Sequence, residues 1–159
     1  MKKIILILCI LSLTACGVRH TNVKSKAYVP SKCEFMNDRG DGSITVTAYG
    51  FGKDRFDGMA QAQKNAIREI LFEGIQIPGD IQRSRPMVYE LNKGEKQNSE
   101  FFRNFLKDGG DYTKFISTDQ KKSGTTKTSH AATQLKVSTT VTILCEQLRE
   151  YLRSQGQIQ

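Results

Sequence analysis

Residues 43–71 read SITVTAYGFGKDRFDGMAQAQKNAIREIL, and this stretch decides the fold of the chain. Its beginning alternates regularly, because apolar Ile44, Val46 and Ala48 are separated by threonines and followed by Tyr49. A period of two residues predicts a strand with one buried face. The glycine-containing triplet at residues 50–52 is expected to end this strand.

A long helix is predicted directly after the strand. Asp54 is a good N-cap residue, and Gly74 is placed to end the helix in the left-handed conformation. Small Ala62 and Ala66, four residues apart, would allow the helix to lie close to a sheet. The apolar residues that recur at helical spacing are Phe56, Met59, Ala60, Ile67, Ile70 and Leu71.

The middle of the chain gives weaker signals. Residues 75–77 and 87–89 have room for short strands, and residues 112–117 suggest another. Ser99 is expected to cap a short helix that ends at the glycine pair 109–110. Three phenylalanines of this helix, Phe101, Phe102 and Phe105, fall on one side. They form either part of the core or an exposed patch that binds a partner.

The last third predicts a long strand and a terminal helix. Residues 119–133 lack large apolar side chains and form either a disordered loop or a long hairpin tip turning near residues 123–125. Residues 135–145 alternate as a strand, and Leu148, Tyr151 and Leu152 form one side of the helix that follows. Residues 154–159 are expected to fray. Together these elements predict an α+β fold with a mostly antiparallel sheet packed by one long helix and a C-terminal helix in a single domain.

The amino terminus carries an export signal. Basic Lys2 and Lys3 precede an apolar run over residues 4–13, which is too short to span a membrane. Residues 13–16 read LTAC and resemble the lipobox of bacterial lipoproteins, which implies that Cys16 receives a diacylglyceryl group before cleavage. The alternative is an ordinary secretory signal with a coincidental cysteine. The predicted organisation is a signal peptide at 1–15, a lipidated tether at 16–32, a domain at 33–153 and a tail at 154–159.

Lipid chains on Cys16 would hold the mature protein stably at a bilayer, since each buried CH₂ contributes about 0.8 kcal/mol. Gly17 follows the cysteine. Lipoproteins that are retained at the inner membrane usually have an aspartate at this position, so the sequence does not resemble theirs. For a Gram-negative source, the expected location is therefore the periplasmic face of the outer membrane.

Net charge and cysteine content indicate which partners and which disulfide to expect. The net charge of +8 includes Lys2 and Lys3, so the mature side chains carry two charges fewer, +6. This excess suits either solubility or contact with anionic envelope material. Nucleic acid is not an expected partner of an exported chain without a recognition motif. After loss of Cys9 and lipidation of Cys16, the remaining pair is Cys33 and Cys145, and an oxidising compartment predicts one disulfide between them.

Short motifs give no support for catalysis or a cofactor. The triplet at residues 50–52 lacks the third glycine of a dinucleotide site. Residues 39–41 read RGD, for which turn chemistry is the default interpretation. His20 and His130 have no neighbouring ligands at zinc spacing, and there is no G-x-S-x-G elbow for a serine nucleophile. We therefore expect neither an enzyme nor a metal site.

The strand at residues 44–49, the GFG triplet and the helix with Ala60, Ala62 and Ala66 resemble a recurring envelope module. They look like the LPP-twenty lipoprotein family and the related amino-terminal domain of the flagellar H-ring T protein. The resemblance covers about a quarter of the chain. It implies a non-enzymatic binding or assembly role and supplies no catalytic residue.

These observations predict a lipid-anchored interaction or assembly subunit of a cell-envelope complex. The expected partners are the bilayer, through acylated Cys16, and envelope proteins. Two alternatives stay open, namely a binding protein for an anionic polymer such as peptidoglycan, and a small hydrolase with an unrecognised site. The predicted partner-binding residues are Phe101, Phe102, Phe105, Lys121, Lys122 and Lys127.

Overall fold

A computed structural model describes residues 33–88, 99–117, 126–131 and 134–159. The strands are β1 (Glu34–Asp38), β2 (Ile44–Gly52), β3 (Thr126–Ala131) and β4 (Gln134–Ile143). The α-helices are α1 (Arg55–Phe72), α2 (Ile81–Ser84), α3 (Glu100–Phe105) and α4 (Cys145–Ser154), and a 3₁₀ helix covers Asp111–Phe115. The strands form one antiparallel sheet in the order β1-β2-β4-β3. The predicted α+β class is confirmed.

The strand and helix predicted from residues 43–71 both form. Asp54 caps α1 by accepting hydrogen bonds from the backbone N–H groups of Phe56 and Asp57, at 2.8 and 2.9 Å. Gly74 follows the helix with a φ of 80°, in the left-handed region that the sequence predicted for it. The unit therefore begins and ends as the capping residues indicate.

The glycines at residues 50–52 have a different role from the predicted turn. They belong to β2, where Gly50 pairs with Val137 and Gly52 pairs with Leu135 of β4. A Cβ on Gly50 would lie 2.3 Å from the carbonyl oxygen of Gly58 in α1. The prediction that the strand ends before them is wrong, because these glycines allow the helix backbone to approach the strand backbone.

The buried face of β2 becomes smaller along the strand. It presents Ile44, Val46, Ala48, Gly50 and Gly52 in that order, all buried. The residues of α1 that face this strand become larger along the helix, so small residues lie opposite small ones. They are Gly58, Ala62, Ala66 and Ile70, and all are buried. Large residues therefore face large ones at one end and glycine meets glycine at the other, so α1 lies closest to the sheet near its N-terminus.

The buried face of α1 does not include all of the apolar residues that recur at helical spacing. Phe56 is 81% exposed, and Ala60 is exposed as well. Both recur at helical spacing but lie outside the buried stripe, because the row of small residues, and not the first apolar residues after the cap, faces the sheet. Ile67, Ile70 and Leu71 are buried as predicted.

Strand β1 has no counterpart in the prediction. A register shift between Phe35 and Asn37 interrupts its pairing with β2 and removes the regular alternation on which the strand signal depends. Residues 39–43 then connect β1 to β2 through Gly40 and Gly42, whose φ values are 75° and 79°. The RGD sequence therefore lies in a tight turn, in agreement with its default interpretation.

No strand forms over the described residues of the two weak sites at 75–77 and 87–89, and α2 is the regular element between them. Instead the chain folds back over the end of α1, and the backbone N–H groups of Met87 and Val88 donate to the carbonyls of Ile70 and Leu71. Residues 112–117 lie mainly in the 3₁₀ helix, and only Ile116 bridges to the sheet, opposite Ile143. The strand predictions at 75–77 and 112–117 are wrong, and the prediction at 87–89 extends beyond the described residues, of which Met87 and Val88 are not in a strand.

The C-terminal part of the domain follows the predicted long hairpin with two corrections. Ala131 pairs with Gln134, so β3 and β4 are joined across residues 132–133, and the predicted turn at 123–125 lies outside the described residues. Strand β4 ends at Ile143, and Cys145 begins α4. The tail does not simply fray, because the N–H of Gln157 donates to the carbonyl of Leu152 and Ile158 packs against the core.

Candidate partner-binding groove

The aromatic segment predicted after Ser99 builds one side of a surface groove. Ser99 caps α3 and accepts a hydrogen bond from the N–H of Phe102. Phe102 is 1% exposed and Phe105 is 3% exposed, so the prediction that both belong to an exposed patch is wrong. Phe101 is only partly buried and packs against the core. One turn of helix therefore directs two rings into the core and leaves the third at the surface.

Helix α4 contributes Tyr151, a second partly buried ring, to this surface. Phe101 and Phe105 stack with their ring centroids 5.9 Å apart and 10° between their planes. Phe105 and Tyr151 of α4 also stack at 5.9 Å, with 26° between their planes. Phe115 supports Tyr151 from the 3₁₀ helix at 5.1 Å. Two stacked ring pairs thus join α3 to α4, and aromatic pairs of this kind stabilise by about 0.5–1.5 kcal/mol beyond their buried area.

A polar network fixes the phenol end of this stack. The Tyr151 hydroxyl donates to Asp111 Oδ2 at 3.1 Å, and Lys114 Nζ lies 2.8 Å from Asp111 Oδ1. Lys114 and then the Tyr151 hydroxyl hold the pKa of Asp111 below its usual value. Burial, followed by the hydrogen bond to Asp111, raises the pKa of Tyr151. The tyrosine therefore stays neutral at physiological pH and acts as a fixed hydrogen-bonding group.

The groove between α3 and α4 has a volume of about 540 Å³. Phe101, Phe105 and Tyr151 form its aromatic wall, and Asn104, Lys107 and Gln155 line it with polar groups. We call this feature the aromatic groove. A concave surface lined by aromatic rings and polar groups is typical of sites that bind another molecule. Sequence reasoning missed Tyr151, because its contact with the phenylalanines joins residues about fifty positions apart in the chain.

The two cysteines predicted to pair are buried free thiols. The sheet explains the correction, since β1 and β4 lie on opposite sides of β2. Two strand spacings separate them by about 10 Å. Glu34, the residue after Cys33, pairs with Thr47 of β2. Ile143, two residues before Cys145, pairs with Ile44. The two cysteines therefore lie beyond opposite ends of residues 44–47 of β2. A disulfide requires Cα atoms within about 7 Å, so the prediction of this bridge is wrong for this fold.

Burial also makes both thiols unreactive. It is the largest cause of the raised pKa of Cys33, with the neighbouring Glu69 carboxylate next. The backbone N–H of Cys33 donates to Glu69 Oε2 at 2.7 Å, which fixes the start of the domain to α1. Burial raises the pKa of Cys145 to about 11. Thiols held in the neutral form are poor nucleophiles, so these cysteines are core residues.

The remaining predicted site residues are not brought to the groove by any described contact. Cys16, Lys121 and Lys122 lie outside the described residues. Lys127 lies on β3, where it pairs with Ser138 of β4. The described side chains include no cluster of three or more His, Cys, Asp or Glu residues that could hold a metal ion. None of the helices in the described part of the chain combines the length and apolar character needed to cross a bilayer.

Comparison with known proteins gives no relative: no protein-family model matches the sequence, and no curated protein or solved structure gives a significant match. The fold itself defines a single α+β domain with an aromatic surface groove. The resemblance to the LPP-twenty family stays a prediction.

Proposed function

We propose that this chain is a lipid-anchored envelope protein whose α+β domain binds a partner protein through the aromatic groove. The lipobox-like residues 13–16 support the anchor at Cys16. The observation that carries the binding role is the pair of partly buried rings Phe101 and Tyr151, which line a surface concavity and both stack on the buried Phe105. The protein then acts as an interaction or assembly subunit of a larger complex at the outer membrane.

A protein partner suits the chemistry of this groove. Stacked rings lose little side-chain entropy on binding, because their neighbours already hold them in place. Aromatic residues surrounded by polar groups are also the usual centre of a protein interface. A single exposed aromatic side chain, such as Phe56, is common on protein surfaces and does not by itself indicate a partner.

The anchor and the groove can be tested together. Membranes from cells labelled with a fatty-acid probe are solubilised gently, and the native mass and co-purifying proteins are measured for wild type, Cys16→Ala and Phe101→Ala. We expect label and a complex larger than the monomer in wild type, loss of label with Cys16→Ala, and loss of the complex with Phe101→Ala. Phe56→Ala is the matched control, since it removes a phenylalanine ring outside the groove.

Two results would contradict the proposal. Wild-type protein that carries the label but migrates as a monomer would argue against an assembly subunit and favour binding of an anionic polymer. A complex that survives Phe101→Ala but is lost with Phe56→Ala would place the interface at the start of α1.

A further inference from the structure

A second groove lies at the edge of the sheet, away from the aromatic rings. Strand β1 is first in the order β1-β2-β4-β3, so only one of its two edges is paired among the described residues. A groove of about 710 Å³ lies between the first residues of β1 and the segment at 76–84, which contains α2. No residue of β2 lines it, so the groove opens at the unpaired edge of β1. We call this feature the edge groove.

Strand β1 presents backbone hydrogen-bonding groups to the edge groove. In an antiparallel pair, successive residues direct their N–H and C=O groups alternately toward the partner strand and away from it. Glu34 pairs with Thr47 and Phe35 pairs with Val46, so one of these two adjacent residues directs both groups away from β2. The other backbone hydrogen bonds of the described residues include none to these groups. An edge of this kind can accept one more strand.

The opposite wall of the edge groove is held in place by its own hydrogen bonds. Ser84 Oγ accepts from the N–H of Ile77 at 2.8 Å and donates to the carbonyl of Asp80 at 2.6 Å. Arg83 forms an ion pair with Asp38, which joins α2 to the end of β1. Binding in the groove therefore requires little ordering of the protein itself.

One side of the edge groove is apolar. It is lined by Phe35, Ile77, Pro78 and Ile81, of which Phe35 packs against the core. Ile81 is 76% exposed although it lies in a concavity. An apolar side chain of another molecule would be buried against it, which is favourable because both surfaces leave water.

The end of the edge groove near Cys33 is acidic, although the chain as a whole carries a net charge of +8. Exposed Glu34 lines the groove, and Glu69 Oε2 accepts from the backbone N–H of Cys33 at 2.7 Å. Neither carboxylate forms an ion pair with another described residue. Burial raises the pKa of the Cys33 thiol most, and Glu69 and Glu34 raise it further. A positively charged group of a partner would therefore be stabilised here.

The pleat of the sheet determines how these features are read by a partner. Glu34 and Phe35 are adjacent, so their side chains point to opposite faces of the sheet. An added strand would also place alternate side chains on the two faces, one row beside Phe35 and the other beside Glu34. The five residues of β1 span about 17 Å, which sets the length of such a strand. The groove therefore fits an extended segment in which apolar and basic residues alternate.

We propose that the edge groove binds an extended segment of a partner protein, with alternating apolar and basic residues, as an added strand on β1. Main-chain hydrogen bonds to β1 supply affinity, while Phe35, Ile81 and Glu34 select the side chains. A second copy of β1 is a poor occupant, because it would bring its own acidic Glu34 and Asp38 beside those already present. The edge groove and the aromatic groove share no lining residue, so this interface and the one proposed above can fail independently.

Fluorescence anisotropy with a fluorescein-labelled peptide of alternating valine and lysine is the direct test, on Cys16→Ala protein without its signal peptide. We expect saturable binding that Ile81→Ser weakens at least about tenfold, since a buried apolar contact is lost. Glu34→Gln should weaken it about threefold, because it removes the charge but can keep the hydrogen bond from the Tyr49 hydroxyl. Phe56→Ser and Glu150→Gln are the matched controls at exposed sites outside the groove, and both should bind like wild type.

Two methylated peptides test whether the segment binds as a strand. One carries N-methyl groups on its valines and the other on its lysines, and both keep every charge. Alternate N–H groups of a strand point to opposite edges, so one of the two should lose at least about tenfold in affinity and the other little.

Several results would overturn the proposal. They are absence of saturable binding to wild type, equal affinities of Ile81→Ser and Phe56→Ser, and equal affinities of the two methylated peptides. A wild-type dimer in sedimentation velocity that Ile81→Ser abolishes would assign the edge groove to a second copy of this chain instead.

Discussion

The contact between α1 and β2 gives the most quantitative prediction from this fold. In Gly50→Ala, the new Cβ would lie 2.3 Å from the Gly58 carbonyl oxygen and 2.4 Å from the Ala62 backbone nitrogen. Both neighbours are backbone atoms of α1, so no side-chain rotation can relieve the clash. The helix must move away from the strand by about 1 Å, since ordinary van der Waals contact begins near 3.4 Å.

The expected cost follows from two opposing effects. Overpacking of this kind destabilises by about 1–3 kcal/mol, and occasionally by more. Replacing glycine lowers the entropy of the unfolded chain and returns about 0.4–1 kcal/mol. Because the displaced helix also loses contacts along its row of small residues, we expect a net loss of about 2 kcal/mol in the free energy of unfolding.

Urea denaturation of the Cys16→Ala protein without its signal peptide measures this loss directly. We expect a lower transition midpoint for Gly50→Ala with an unchanged slope. Gly79→Ala is the control, since its Cβ would meet nothing within 4 Å, although its φ of 81° brings a strain of about 1 kcal/mol. If Gly50→Ala were as stable as wild type, the close approach of α1 and β2 would be refuted.

Three further predictions concern the thiols, the core and the acid side of stability. Without reductant, a thiol reagent should find Cys33 and Cys145 unreactive in the folded lipidated protein and both reactive in guanidinium; absence of both thiols after unfolding would indicate a disulfide after all. Phe102→Ala should lower the free energy of unfolding by about 3–5 kcal/mol, whereas Phe56→Ala should change it by less than about 0.5 kcal/mol, and similar losses in chemical denaturation would contradict the burial described. The contact with Arg83 lowers the pKa of the Asp38 carboxyl in the folded protein. The contact therefore stabilises the fold fully above the unfolded pKa of about 3.9, and this stabilisation is lost as the pH falls through the lower folded pKa. Asp38→Asn should therefore destabilise at neutral pH and flatten the decrease in stability below about pH 4, and a parallel pH profile would contradict this role.

Local patterns predicted the elements whose signal lies within a few residues. The alternation from Ile44, the cap at Asp54 and the position of Gly74 were sufficient for β2 and α1. The cap at Ser99 likewise identified α3. In each case a side chain or a special φ acts on its own neighbours, so the sequence carries the information locally.

The errors arose where the outcome depends on pairing or on distant packing. The bulge near Phe35 hides β1, because it breaks the period of two. The glycines of β2 resemble a turn, yet their role is set by Gly58 on another element. The disulfide prediction considered compartment and cysteine count but could not include the strand order, which separates the two thiols.

The groove was foreseen only in part for the same reason. The phenylalanine spacing indicated either core or surface, and the structure assigns Phe102 and Phe105 to the core and leaves Phe101 partly exposed. The arrangement of Tyr151 against them depends on the position of α4 after the last strand. A long-range contact of this type has no periodic signature in the sequence.

Photo-crosslinking in cells tests the central claim most directly. A photoreactive amino acid replaces Phe101 in one protein and Phe56 in another, and crosslinked species are identified after irradiation. We predict a discrete crosslinked protein from position 101 and none from position 56. No crosslink from position 101, or the same products from both positions, would contradict partner binding at the aromatic groove.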